Sequence, residues 1–495
     1  MTEAPSQVDP GRNCWRIERA TRATVIVDAA DYFTQVREAM LKAEHRILLI
    51  GWDFDPRIRL DRTPDDPQGV PANLGDFVRW LADNRPGLQI NILKWDLGAL
   101  KLLARGRALV AALRWALHDR ITFKLDGAHP VGASHHQKVV VIDDAFAVCG
   151  GIDMTSDRWD TREHLDKSPQ RLRPDDEPYG PWHDITMMVD GPVSRALGEL
   201  GRDRWTAAGG EDLPMCPPGS DPWPEKLEPT FRDVDIGIAR TRAAYGDGAD
   251  VREIEALYVD LIGSARHFIY AENQYFASRK IAEAIAKRLA EPDPPEIVLV
   301  MPVTADGWLE QVAMDGARDR LMQSLNQVGA GERFRIYHPV TSAGEPIYVH
   351  AKLMIVDDQI LRIGSSNMNN RSLSLDSECD LVIDSGVNAA CDIAPALNSL
   401  RISLLAEHLD ADPVALHAEL KRSGSMIVTI EQRRGNGRTL VPFTPGDLGE
   451  VATLLADNEV LDPEIEGGNA EPMTRRSLFR RRSILPEPDA SPTAD

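Results

Sequence analysis

Two segments of the chain, S-H-H-Q-K-V-V-V-I-D-D (134–144) and V-H-A-K-L-M-I-V-D-D (349–358), carry the same residues at the same spacing. His136 and His350 are 214 positions apart. The same interval separates Lys138 from Lys352, Asp143 from Asp357, Asp144 from Asp358 and Gly150 from Gly364. Five identities at one interval, inside matched apolar runs, are the mark of a duplicated structural unit. The second half must therefore fold as the first does.

The elements around the two segments agree. Residues 31–44 have helical spacing and R-I-L-L-I-G-W-D-F reads as a buried strand. A helix near 73–84, a strand at 89–95, a helix at 98–117 and a strand at 121–126 precede the first motif strand. The second half repeats the order, with a helix at 251–264, the strand H-F-I-Y-A-E-N, a helix near 278–290 and the strand E-I-V-L-V-M-P-V. A helix near 307–326, the strand F-R-I-Y and the second motif strand complete it. Helices alternating with short apolar strands predict an α/β fold of two pseudo-twofold-related sandwich halves that share one active site.

The expected division is a disordered lead at 1–12, a first half at 13–210, a linker at 211–232, a second half at 233–425 and a largely disordered tail at 426–495. The linker holds prolines 214, 217, 218, 222, 224 and 229. A second landmark pairs Asp184 with Glu378 and Asp190 with Asp384, but at an interval of 194. The 20 additional residues of the first half fall in the polar stretch 160–180, read as a rim or lid loop.

Composition narrows the partners. A formal net charge of −21 repels polyanions at long range and argues against nucleic acid. The five cysteines are scattered and no CxxC pair exists, as expected of reduced thiols in a cytoplasmic protein without structural zinc. His135, His136 and His164 also lack zinc-ligand spacing. No signal peptide or membrane-spanning apolar run is visible, and a monomer with no metal or other cofactor is expected.

Residues i and i+2 of a strand share a face, so His136 projects with Lys138 and His350 with Lys352. Two imidazoles and two ammonium groups converging on one pocket suit a phosphodiester. One neutral imidazole attacks phosphorus, the other protonates the leaving oxygen, and the lysines offset charge on the pentacoordinate centre. Asp184 and Glu378, each returning on a strand shortly after its motif, are the candidates to fix the imidazole tautomers. Asn367 can donate to a phosphate oxygen, whereas Asp153 at the equivalent first-half position would repel it.

Asp143 and Asp357 complete the repeated set of site residues. They stand on the opposite strand parity from the histidines, as scaffold groups would. His135 points away from His136 and reads as a core or supporting residue. Tyr270, Tyr275 and Phe276 read as packing at a strand end, and Trp182 and Trp308 suit either core or lipid-facing positions.

The doubled H-x-K-x4-D-x6-G pattern resembles the phospholipase D superfamily. The stretches G-G-I-D-M, R-W-D, Y-G-P-W-H-D-I, Y-A-E-N-Q-Y-F, R-S-L-S-L-D-S-E and L-L-A-E-H-L are similar to those of phospholipase D proper. The resemblance implies transfer of a phosphatidyl group to water or an alcohol through a phosphohistidine, without a catalytic metal. His136 would be the nucleophile and His350 the acid. The expected partner is a phospholipid at a membrane surface. A cardiolipin-synthase-like transferase and a non-catalytic lipid-binding protein are the alternatives. The basic run R-R-S-L-F-R-R-R at 475–482 reads as a solvated segment or as a contact for anionic headgroups.

Overall fold

The computed structural model describes residues 5–62, 69–96, 115, 117–305, 314–327, 330–435, 437–444 and 462. Most of the helix expected at 98–117, the start of that at 307–326, Trp308 and the basic run at 475–482 lie outside the described residues.

The first half contributes strands β1 (Arg16–Val27), β2 (Arg46–Gly51), β3 (Gln89–Trp95), β4 (Ile121–Asp126), β5 (Val139–Ile142), β6 (Phe146–Gly150), β7 (Trp182–His183) and β8 (Ile185–Asp190). The second contributes β9 (Phe231–Arg242), β10 (Val251–Arg252), β11 (Phe268–Glu272), β12 (Glu296–Val300), β13 (Phe334–Val340), β14 (Tyr348–Val349), β15 (Leu353–Val356), β16 (Ile360–Gly364), β17 (Glu378–Asp384) and β18 (Thr439–Pro442). Apart from β7 and β14, which pair with each other, these strands form one sheet.

The order of that sheet reads nearly as a palindrome. From the centre outward, β1-β8-β6-β5-β2-β3-β4 mirrors β9-β17-β16-β15-β11-β12-β13, with β18 added beyond β13 and β10 beside β9. The outer three strands of each half are parallel and the remainder antiparallel. β1 and β9 meet antiparallel at the seam, with Arg16 opposite Ile238 and Ala23 opposite Phe231. Strands such as V-V-V-I of β5 and E-I-V-L-V of β12 are buried at every position, as a sheet covered on both faces requires.

The two faces are covered differently. Leu48 and Ile50 of β2 join Leu353 and Ile355 of β15 in one core spanning both halves, roofed by helices Pro192–Ala207 and Ala394–His408. The intervening Ile47 and Leu49 pack with helices Ala29–Leu41 and Leu74–Asn84 in a core of the first half alone. Helices Glu253–Ser264 and Arg279–Leu289 build the equivalent core of the second half.

The Asp-Asp pairs are turn and anchor residues. Asp143, Asp144, Asp357 and Asp358 all adopt positive φ, between 52° and 54°, a region Asp tolerates better than most side chains. Asp143 accepts hydrogen bonds from the backbone N–H groups of Glu44, His45 and Arg46 at 2.7 Å each. Asp357 does the same for Arg266, His267 and Phe268 at 2.7–2.9 Å. Asp144 pairs with Arg202 and Asp358 with Arg401, fixing the covering helices to the turns. Asp143 and Asp357, counted above among the site residues, thus hold the sheet; with their oxygens committed to three amides each, they do not serve the chemistry directly.

Three other expectations change. The His-x-Lys residues precede strands β5 and β15 rather than lying within them. The lead is pinned, since Gln7 N donates to Asp384 Oδ2 at 2.6 Å and Val8 is buried. The tail continues the fold beyond 425. Ser425 caps helix Met426–Arg433, whose Met426, Ile427 and Ile430 join the shared core, and β18 pairs with the edge of β13. These segments are too short to show a period, and capping and burial decide them instead.

Gly150 and Gly364 close the motif hairpins where neighbouring backbone approaches too near for a side chain. A Cβ at Gly150 would lie 2.4 Å from Thr186 Cα, and one at Gly364 would lie 2.6 Å from Asp380 Cα. Gly150→Ala and Gly364→Ala should each cost about 1–3 kcal/mol through overpacking. In urea this appears as a lower unfolding midpoint at unchanged slope. An unchanged midpoint would show that the hairpins separate freely at these positions.

Candidate active site

Backbone pairing delivers each motif histidine to the opposite half of the chain. Ser134, His135 and His136 run beside Asp376–Glu378: His136 N donates to Ser377 O at 3.0 Å, and Ser377 N donates to Ser134 O at 3.0 Å. Reciprocally, β14 pairs in parallel with β7, and His350 N donates to His183 O at 2.7 Å. The carboxylates are therefore exchanged. His136 Nδ1 lies 3.0 Å from Glu378 Oε1, and His350 Nδ1 lies 2.7 Å from Asp184 Oδ2. Proximity along the chain suggests a pairing within each half; the structure crosses it.

The two pairs differ in support. Glu378 accepts hydrogen bonds from Ser365 Oγ and, at 2.7 Å, from Ser372 Oγ. Asp184 accepts from the Ile185 amide at 2.8 Å, and its carboxylate packs where a side chain at Gly151 would stand. Ser365 and Gly151 are repeat equivalents, so the longer Glu receives a hydroxyl and the shorter Asp lies against a bare backbone. Burial raises both acids, Glu378 to about 7 and Asp184 to about 6. Burial, followed by Lys138 and Lys352, holds His136 well below the ordinary imidazole range. Burial, with Lys352 and Arg158, does the same to His350. Near neutral pH both rings are uncharged, and with Nδ1–H directed at the carboxylates their Nε2 lone pairs are free to act.

The lysines are not equivalent. Lys138 Nζ lies 3.1 Å from Asp153 Oδ2 and donates to His136 O at 3.1 Å. The carboxylate expected to repel phosphate is thus held by the first-half ammonium, and its Oδ1 also accepts from Trp52 N at 3.0 Å. Lys352 Nζ donates to His350 O and to Gln274 Oε1, the latter at 3.2 Å. Burial lowers Lys352 to about 7. Asn367 Nδ2 lies 3.5 Å from the same Gln274 oxygen.

His136, His350, Asp153, Gln274 and Asn367 line one cavity of about 650 Å³. Its aromatic wall includes Trp52 stacked on Trp95 with ring centroids 5.5 Å apart. On the other side Trp182 stacks on Tyr348 at 4.5 Å, and its ring centroid lies 5.3 Å from that of His350. Arg158 lies over the Trp182 ring at 4.1 Å. Trp182 is therefore a pocket residue, and Tyr275 lines the cavity as well. Tyr270 and Phe276 are buried, as packing residues are. His135 is fully buried with Nδ1 2.9 Å from Ser377 Oγ, supporting the segment that carries His136.

The sequence reading does not single out Gln274, Arg158, Ser365 and Ser372. Gln274 and Arg158 lie in the Y-A-E-N-Q-Y-F and R-W-D stretches, where their neighbours hide them. The serines stand opposite Gly151 and Arg158 in the first half, not opposite serines, and so leave no mark in the repeat.

Residues 258–397 match the family described as "Cardiolipin synthase, PLD-like domain". Phospholipase D A of Dictyostelium discoideum is 26% identical over 419 residues, spanning 72% of this chain and 32% of that protein. Phospholipase D alpha 1 of Zea mays is 25% identical over 516 residues, spanning 75% of this chain and 62% of that protein. The chain thus covers less than two thirds of the length of these curated relatives. The phosphatidylserine synthase of Haemophilus influenzae shares the fold, with a TM-score of 0.52 and 13% identity over 84% of this chain and 96% of that one. In its doubled fold and in these relatives the chain is similar to the phospholipase D superfamily.

Proposed function

We propose that the protein is a phospholipase D, cleaving the distal phosphodiester of a glycerophospholipid to phosphatidic acid and free headgroup. The observation that carries this reading is the pair of crossed histidine–carboxylate contacts facing one cavity beside two lysines. His136 Nε2, neutral and oriented by Glu378, attacks phosphorus, and the bond to the headgroup oxygen breaks as His350 delivers a proton to it. The bound phosphodiester supplies the negative charge that lets His350 hold that proton in the complex. Water then attacks the phosphohistidine, returning its proton to His350 as the P–N bond breaks. Lys138, Lys352 and Asn367 face the non-bridging oxygens, whose charge grows in the transition state.

Transfer to the hydroxyl of an alcohol or second lipid is the same chemistry with another acceptor, and the family matched by residues 258–397 favours keeping it as the second reading. A phospholipid surface is the partner this implies, and the net charge of −21 disfavours nucleic acid. No helix among the described residues is long and apolar enough to cross a membrane. Both halves of the site come from one chain, so a monomer suffices.

The test is choline release from phosphatidylcholine vesicles, with and without added alcohol. His136→Ala and His350→Ala should each lower turnover by at least about 10³-fold. Near-normal turnover in either variant would remove the composite site. Binding of sulfate, which does not titrate near neutrality, reads the lysines. As pH rises from 6 to 8, Lys352 loses its proton through about 7 while Asp184 and Glu378 gain negative charge through about 6 and 7. All three changes weaken anion binding, so sulfate affinity measured by calorimetry should fall with pH. Constant affinity would show that Lys352 remains charged.

A further inference from the structure

Behind the His350–Asp184 pair lies a cluster outside the mechanism just described. Asp28 at the end of β1, His164 in the long first-half loop, His183 of β7 and Glu407 of helix Ala394–His408 bring ligand-type atoms to one point. All four side chains are at most 2% exposed. His183 Nδ1 is 2.9 Å from Glu407 Oε1 and 3.1 Å from Asp28 Oδ1. His164 Nε2 is 3.1 Å from Glu407 Oε1 and 3.5 Å from Asp28 Oδ2. One ligand atom from each of the four residues lies within 4.8 Å of the other three, close enough for all four to share one ion.

Two further observations point to an ion. His183 Nδ1 lies close to two carboxylate oxygens, yet neither is along its N–H direction, and it makes no hydrogen bond. Asp28 Oδ2 is likewise buried without a donor. A dry interior does not leave such atoms unsatisfied without cost. The far sides of the ligands are supported as metal ligands usually are. His164 Nδ1 meets Asp160 Oδ2 at 3.0 Å, His183 Nε2 meets Glu272 Oε2 at 2.7 Å, and Arg162 donates to Glu407 Oε2.

Charge leads to the same place. Asp28, Asp160, Glu272 and Glu407 bring four negative charges, of which Arg162 and Arg171 offset two. One divalent cation, or a second proton on each of His164 and His183, balances the remaining two.

We propose that Asp28, His164, His183 and Glu407 bind a divalent transition-metal ion, zinc being the best fit to two imidazoles and two carboxylates in tetrahedral array. The ion is structural. It joins three residues of the first half to Glu407 of the second, with His183 one residue before Asp184, and none of the four lines the cavity between the histidines.

The experiment uses the full chain, purified without a polyhistidine tag from zinc-supplemented medium, and measures metal by mass spectrometry. About one equivalent per chain is expected, falling below about a tenth in His164→Gln and Glu407→Gln. Replacement by cobalt should give the intense visible absorption of a tetrahedral site. If the variants fail to fold, the wild-type chain decides: stripping with a strong chelator should lower its melting temperature, and zinc alone should restore it. Folded, active wild-type protein that lacks stoichiometric transition metal and melts unchanged with zinc or chelator would overturn the proposal. The cluster would then be a network balanced by two imidazolium protons.

Discussion

Each motif histidine depends on a carboxylate from the other half of the chain. That exchange, His136 with Glu378 and His350 with Asp184, is the contact on which the arrangement rests. It forces the two halves to meet face to face, and the strand seam between β1 and β9 and the shared core beneath helices Pro192–Ala207 and Ala394–His408 keep them there. Neither half contains a supported histidine by itself. A shift at the seam would part both pairs together, leaving buried carboxylates unpaired at a cost of several kcal/mol.

The environment then sets the protonation states. Burial raises the acids and lowers the imidazoles, so that both rings are neutral while the carboxylates beside them titrate near neutrality. The nearby lysines push the imidazoles further down and also limit the rise of the acids. An anion entering this region meets neutral rings, not imidazolium ions, and is itself the charge that changes them. The site is therefore prepared to respond to an anion.

Much of this could be read from the amino-acid order. The interval of 214 revealed the duplication, and alternation of apolar runs placed strands β2, β3, β11 and β12 and the helices between them. Strand parity set His136 apart from Asp143, yet both flank the strand rather than lie in it, and it is three backbone contacts that make Asp143 a scaffold. What escaped has a common cause: an interval along the chain is not a distance in space. It could not show that Glu378 crosses to His136, or that Lys138 holds Asp153. Residues not matched in kind by the other half, such as Ser372, His164 and Glu407, leave no pattern at all. The pinned lead and the continuation beyond 425 are settled by single capping and burial contacts rather than by periodicity.

The two walls of the cavity are related by duplication but are no longer copies. Gln274 stands on the strand end equivalent to the one bearing Trp52, Asn367 at the repeat position of Asp153, and Ser365 at that of Gly151. The phosphodiester proposed as substrate has two unlike arms, and a truly symmetric pocket would accept it equally well in either sense. Half of the encounters would then present the wrong oxygen to the proton donor. An aromatic, acid-bearing wall facing an amide-bearing wall gives the cavity a polarity that a symmetric pocket lacks. Joining both halves in a single chain is what makes such divergence possible, because a pair of identical subunits would have to change both walls at once.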